Sequence, residues 1–357
     1  MHIHLMLNEK FTEKFIAFIN KNFPLDKNYI YIYDGNKGDI KEANVKYTNK
    51  LNKDVDLSLL KDNDKLFIHS FYSHKLLKFM VVNKYRIKKE QIVLIIYGAD
   101  LYNNKLKSIN GEKISFKEQF YEFLKRCLVK RAGLFMTYAC ADYSLAKEWY
   151  GACGKQFDCL YPSNIDKEKI DEISSKATAN KSQINILLGN SATFTNQHEE
   201  ALRVLSKFKD ENIRIICPLS YGDNGYAKRI QKIGLEIFKS KFIAVLDYMK
   251  IDDYVAMLND CDIAIFNNNR QQATGNIEIL GYLGKKVFVR SDTTTWKHYV
   301  ERDGCRFFDT KKIQKMEFDE LIALKEADKD KNRTYFKQIW NEEYIKKLWE
   351  NVMNYNL

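Results

Sequence analysis

A chain of 357 residues with 45% hydrophobic side chains is long enough for two domains, or one large one, and apolar enough to close a packed core. It has no apolar run of about 18 residues, so no transmembrane helix is expected, and its seven scattered Cys lack any CxxC pair, which points to reduced thiols in a cytoplasm rather than a disulfide or zinc scaffold. Nearly all of the +11 net charge lies between Lys41 and Arg131; such a basic face suits an anionic membrane or an acidic substrate, a solvated Lys-rich surface is the ordinary alternative, and the absence of a zinc-finger or RNA-binding signature ranks nucleic acid last.

The N-terminus enters a strand pattern directly, without the basic start and long apolar run of a signal peptide. His2 to Leu7 reads as a strand, and Phe11 to Phe23 as a helix with Phe11, Phe15, Phe18 and Ile19 on one face. Tyr29 to Tyr33 is a second strand, followed by a turn at Asp34-Gly35-Asn36. Leu66 to His69 predicts a strand, Tyr72 to Val82 a helix, and Gln91 to Tyr97 a buried strand closed by Gly98-Ala99-Asp100. Between Ser115 and Arg131, Phe116, Phe120, Tyr121, Phe123 and Leu124 mix with basic residues; this composition suits a bilayer interface, while the spacing of 116, 120, 123 and 124 predicts a core-facing stripe with the basic edge toward lipid head groups. Leu134 to Tyr138 is another strand. Strands alternating with helices imply a parallel, doubly wound sheet.

Residues 164–182 are polar and suit a linker. A second alternation follows. Strand Ile184 to Leu188 is closed by Gly189-Asn190-Ser191, helix Gln197 to Phe208 follows, and strand Ile213 to Cys217 is closed by Pro218 to Gly222. Tyr226 to Ile233 reads as a helix ending near Gly234, and Asp252 to Leu258 as a short one. The most informative stretch is 261–289. Ile263 to Phe266 is a buried strand, Asn267 to Gln272 a polar turn, Gly275 opens a helix that Gly284 ends, and Val287 to Val289 is the next strand. A strand, a polar turn and a Gly at a helix start present free backbone N–H groups to a phosphate, and Arg270 can pair with a diphosphate; an ordinary loop uses the same residues. From about Phe318 the chain reads as helical.

In a parallel sheet the turns at 189–191, 220–222 and 270–272 share one rim and together can bind a nucleotide diphosphate. Two doubly wound halves facing a cleft make the glycosyltransferase-B architecture, shared with some sugar-nucleotide epimerases and phosphorylases. The expected division is 1–163 for an N-terminal acceptor-side domain, 164–182 for the linker, 183–330 for a C-terminal donor domain, and 331–357 for a helical segment packing back on the first. Asp100, after a buried strand, can act as general base on an acceptor hydroxyl or serve as a turn or cap residue. His69 can be that base, bond a diphosphate, or be structural. His198 reads as a polar helix residue rather than a ligand. Asp54-Val55-Asp56 resembles a metal-binding DxD, but its polar setting before Leu57 favours a helix-start role, and no cluster has metal-site spacing.

The chain resembles the 4-acetamido-4,6-dideoxygalactose (Fuc4NAc) transferases of enterobacterial common antigen synthesis, glycosyltransferase family 56. The resemblance rests on Tyr97-Gly98-Ala99-Asp100-Leu101-Tyr102, Leu188-Gly189-Asn190-Ser191 with Asn196 and His198, Pro218 to Tyr221, and Arg270-Gln271-Gln272 with Gly275; His69 at a strand end also fits. It implies a dTDP-sugar donor, a polyprenyl-diphosphate-linked saccharide acceptor, and a peripheral enzyme on the cytoplasmic face of the inner membrane. The donor residues expected are Gly189, Asn190, Ser191, Tyr221, Arg270, Gln271, Gln272, Gly275 and Glu278, with Asp100 or His69 catalytic and no metal or other cofactor. Two departures stand out: Ala192-Thr193-Phe194 replaces a more polar run, and Glu278 stands where the family has an apolar or small residue. A Glu in such a helix can bond ribose hydroxyls, which keeps a UDP-sugar open beside dTDP. A sugar-nucleotide epimerase and a non-catalytic sugar-nucleotide-binding scaffold are the alternatives of other classes.

Overall fold

The computed structural model describes residues 1–9, 11–34, 40–109, 111–163, 167–175 and 183–356. The chain forms two compact units, Met1–Asn164 with Asn341–Leu357, and Ile165–Trp340.

The first unit is built on seven parallel strands: β1 His2–Met6, β2 Asn28–Tyr33, β3 Val45–Thr48, β4 Lys65–His69, β5 Ile92–Ile96, β6 Leu134–Thr137 and β7 Lys155–Asp158. Their order is β3-β2-β1-β4-β5-β6-β7, so the winding reverses between β1 and β4. In open parallel sheets ligands bind beyond the carboxyl ends of the strands at such a reversal. β4, β5 and β6 are buried along their whole length, which is why they read as continuous apolar runs rather than alternating ones. β3 and β7 escaped the sequence reading because they are short edge strands with few apolar residues, VKYT and KQFD. The expected turn at 34–36 lies beyond the described residues after Asp34. Asp54 accepts hydrogen bonds from Thr48 and Lys46, and Asp56 caps a short 3-10 turn through the Ser58 N–H, so both carboxylates of the DxD-like pair are engaged locally.

The second unit holds six parallel strands: β8 Ile184–Leu188, β9 Ile213–Pro218, β10 Phe242–Val245, β11 Ile263–Phe266, β12 Lys286–Val289 and β13 Phe308–Asp309. The order β10-β9-β8-β11-β12-β13 reverses between β8 and β11. The helix expected to stop near Gly234 runs Asn224–Phe238. Gly234 lies inside it because the Phe242 ring occupies the space a Cβ would need, at 2.5 Å; close packing, not a cap, calls for glycine there.

Two connections differ from a linker-and-tail reading. Residues 167–175 form a helix, Lys167–Ser175, with Ile170 buried and Asp171 accepting from Tyr282 Oη at 2.5 Å; 164–166 and 176–182 lie outside the described residues. The C-terminal helices divide between the units. Helix Glu326–Ile339 belongs to the second, its buried Phe336 set against Gly281. Helix Glu342–Met353 belongs to the first, where Trp349 is fully buried and donates to the Leu160 carbonyl at 2.9 Å.

Candidate active site

In the second unit the turns predicted to share a rim do meet at the reversal point. Gly189, directly after β8, adopts φ +69°, and a Cβ there would sit 2.2 Å from His198 Nε2, so only glycine fits. His198 is buried beneath it, with Nδ1 3.1 Å from Tyr226 Oη; burial lowers its pKa to about 4, which keeps the ring neutral. Asn196, which sequence reasoning did not assign a role, organises the loop. Its Oδ1 accepts from the Asn190 N–H at 3.1 Å, and its Nδ2 donates to the Ser191 carbonyl at 3.0 Å and Thr193 Oγ1 at 2.8 Å.

The two loops at the reversal are joined by side chains. Gln272 Nε2 donates to Asn190 Oδ1 at 2.9 Å, and Thr195 Oγ1 donates to Gln272 Oε1 at 2.5 Å. The Asn269 N–H reaches the Thr195 carbonyl at 2.9 Å. Asn190 Nδ2 donates to Tyr221 Oη at 2.9 Å, tying in the loop after β9 while the Tyr221 ring stays exposed. That loop is also zipped to Ala192: the Ala192 N–H reaches the Tyr221 carbonyl and the Asp223 N–H reaches the Ala192 carbonyl, both at 2.8 Å. Ser191 and Gln271 are buried. Arg270 is half-buried and its Nη1 donates to the Gln271 carbonyl at 3.0 Å.

Helix Thr274–Tyr282 starts from this rim after Ala273, whose φ is +62°. A Cβ on Gly275 would meet nothing within 4 Å, and among the described residues no cap side chain bonds the helix start, whose first N–H groups have no intrahelical partner. Glu278 points elsewhere, accepting from Trp340 Nε1 at 2.6 Å. The residues expected to bind donor, Gly189, Asn190, Ser191, Tyr221, Arg270, Gln271, Gln272 and Gly275, thus lie on one rim, with the Glu278 carboxylate engaged by an indole beside it.

In the first unit neither nominated base is presented to solvent. Asp100 is fully buried. Its Oδ1 accepts from the N–H groups of Tyr97 (3.2 Å), Gly98 (2.9 Å) and Leu101 (3.0 Å), and its Oδ2 from Phe71 N–H (3.3 Å). Burial raises its pKa against these amide bonds. The geometry is that of a turn aspartate closing β5 onto helix Ala99–Ile109. This corrects the expectation of a base here: no oxygen is left for an acceptor hydroxyl.

His69, the last residue of β4, is also fully buried. Its Nε2 lies 3.0 Å from His4 Nδ1 and its Nδ1 2.6 Å from Tyr161 Oη, while Tyr97 Oη donates to Tyr161 Oη at 2.9 Å. The Trp349 ring stacks on the imidazole at 5.9 Å and 15°. Two tautomer sets satisfy these contacts; in the one where Tyr161 donates to His69 Nδ1, His69 carries its proton on Nε2 and donates it to His4. Burial, then His4, holds the His69 pKa well below its usual value. Tyr97 and Tyr161, partly exposed on this rim, went unassigned because each stands alone in sequence; the sheet order sets β5 beside β4, and the segment after the edge strand β7 returns across the strand ends to His69.

Among the described residues no group of three or more His, Cys, Asp or Glu is placed to hold a metal ion, and no helix is long and apolar enough to cross a membrane.

Comparison with known proteins bears on this arrangement. Residues 38–353 match the family described as 4-alpha-L-fucosyltransferase, glycosyl transferase group 56. Similar solved structures include the Candida albicans trehalose-6-phosphate phosphatase N-terminal domain, at 12% identity over 100% of this chain and 97% of that one, TM-score 0.64. Another is the E. coli protein described as trehalose-6-phosphate bound with UDP-2-fluoro glucose, at 9% identity over 100% of both chains, TM-score 0.64. A third is the trehalose 6-phosphate synthase of Burkholderia multivorans, at 8% identity over 99% and 96%, TM-score 0.64. At these identities the likeness is one of fold, and that fold is glycosyltransferase-B. The chain belongs to the 4-alpha-L-fucosyltransferase family, glycosyl transferase group 56, and is a glycosyltransferase.

Proposed function

We propose that the chain moves a deoxyamino sugar, 4-acetamido-4,6-dideoxygalactose, from a dTDP-sugar to a polyprenyl-diphosphate-linked saccharide on the cytoplasmic face of the membrane. The observation that carries the donor half is the convergence at the β8/β11 reversal, where Gln272 links Asn190 to Thr195 beside the open helix start at Gly275. There the N–H groups of the helix start and Arg270 offset the charge that develops on the leaving diphosphate, so the reading needs no resident metal. The engagement of Glu278 by Trp340 favours thymidine over uridine: a ribose 2′-OH would have to share that carboxylate, and a thymidine nucleotide has no 2′-OH to bring.

In transfer, the acceptor oxygen bonds to the anomeric carbon, the bond to the diphosphate breaks, and the acceptor proton leaves. Of the two nominated bases, His69 is the one with a proton path in this reading, against the burial that disfavours its protonated form. It is neutral, and its Nδ1 faces the Tyr161 hydroxyl, so a proton given to Tyr161 Oη passes the phenol's own proton to the imidazole.

Thermal-shift titration with dTDP, UDP, GDP and CMP, with and without EDTA, tests the donor reading. Selective, EDTA-insensitive stabilisation by dTDP is expected. A UDP preference would move the donor assignment to a uridine sugar, and turnover of donor without acceptor would turn the reading to an epimerase. Binding without transfer or hydrolysis would leave a scaffold. Near-wild-type turnover in Arg270→Ala would remove that residue from the diphosphate site.

A further inference from the structure

Helix Phe116–Arg131 is apolar on two sides. Tyr121, Leu124, Leu128 and Val129 pack into the core of the first unit. On another side Phe116, Phe120 and Phe123 are 91%, 55% and 60% exposed. Their i, i+4, i+7 spacing sets the three rings in one line along the helix. This corrects the expected core-facing stripe for these aromatics: the line of Tyr121, Leu124 and Leu128 takes the core instead.

The surroundings are basic. Lys113, Lys117, Arg126 and Lys130 are exposed and form no ion pair among the described residues. Two acids of the helix are paired locally: Glu118 with Lys107 of the preceding helix at 3.0 Å, and Glu122 with Lys125 at 2.9 Å. At the end of the preceding helix, Ala99–Ile109, Ile109 is 67% exposed.

We propose that this face docks the chain on an anionic lipid bilayer, the three Phe rings entering the acyl boundary and the flanking cations meeting lipid phosphates. Aromatic rings in line on a helix, flanked by unpaired cations, match the apolar and charged layers of that surface. A second copy of the chain fits less well, because a two-fold contact would set the cations flanking the rings in one copy against those of the other. The proposal deepens the reading of a lipid-linked acceptor and rests on it for its purpose, although lipid binding itself needs neither donor nor acceptor.

The test is flotation of the full chain with phosphatidylcholine vesicles, with and without phosphatidylglycerol, at low and high salt. Nucleotide thermal shift is read in parallel on every variant. The chain is expected to float with the anionic vesicles and to release at high salt. Phe116→Ser, Phe120→Ser and Phe123→Ser together should weaken binding by about tenfold or more at an unchanged melting temperature. Lys113→Glu with Lys117→Glu should weaken it and flatten the salt dependence. Equal flotation of the Phe variant, or no flotation of the parent chain, would overturn the proposal while an intact nucleotide response leaves the donor site standing. A dimer in the parent that the Phe variant loses, without lipid binding, would reassign the face to self-association.

Discussion

Replacing Asp100 by Asn separates a base from a turn residue by measurement. The carboxylate accepts four backbone N–H groups across its two oxygens, and Ser70 bonds it as well. Asn keeps one acceptor oxygen and turns an NH₂ group toward the other donors. Hydrogen bonds to a charged group contribute about 1.5–3 kcal/mol each, and two are lost at a fully buried site. Removing the charge relieves part of the burial cost that raises this pKa, which leaves a net loss of about 2–4 kcal/mol. For a unit of this size that lowers the melting temperature by roughly 5–15 °C. Turnover of the folded fraction, measured well below the transition, should stay within about tenfold, since no oxygen of Asp100 reaches an acceptor. The assay is a melt followed by near-UV circular dichroism, paired with transfer at low temperature. A variant that melts like the parent yet loses about a hundredfold or more in turnover would refute the turn assignment and restore Asp100 as the base.

Gly189→Ala should destabilise by at least about 2 kcal/mol, from a left-handed backbone and a Cβ driven onto His198, and should abolish stabilisation by dTDP; an unchanged melt would refute this packing. Gly275→Ala should leave stability equal or up to about 1 kcal/mol higher, because Ala favours a helix and meets no neighbour, yet weaken dTDP by about tenfold where the diphosphate approaches; unchanged affinity would place the diphosphate elsewhere. His69→Gln should lower turnover by about a hundredfold with little effect on dTDP binding, and retained turnover would end the Tyr161 relay. Acid should destabilise early. Burial depresses His2 and His198 to about 4 and His4 and His298 to about 3. The unfolded chain therefore takes up protons near pH 6.5 that the folded chain refuses, and stability falls as pH drops from 6.5 toward 4, by about 1.4 kcal/mol per pH unit for each such His. A melting temperature flat from pH 7 to 5 would contradict those buried neutral rings.

Sequence alone determined the elements whose physics is local. Buried parallel strands such as Gln91 to Tyr97 and Ile263 to Phe266 are apolar without interruption because both faces are covered, and the Gly, Asn and Gln turns after them mark strand ends. Two doubly wound sheets, the rim of turns in the second and its Gly275 helix start follow from that punctuation. Tertiary structure decided everything set by what a residue lies against. Asp100 is a carboxylate at a helix start in either role, and only its burial among backbone amides makes it a turn residue. Gly234 reads as a helix stop until Phe242 is seen to need its space. The Phe residues of helix Phe116–Arg131 fit a core stripe as well as the line that is buried, because 3.6-residue periodicity reports that an apolar face exists and not which face has a neighbour. Tyr161 gains meaning only beside His69, 92 residues away in the chain, because the segment after the edge strand β7 returns across the sheet to the end of β4 and no local pattern encodes that adjacency.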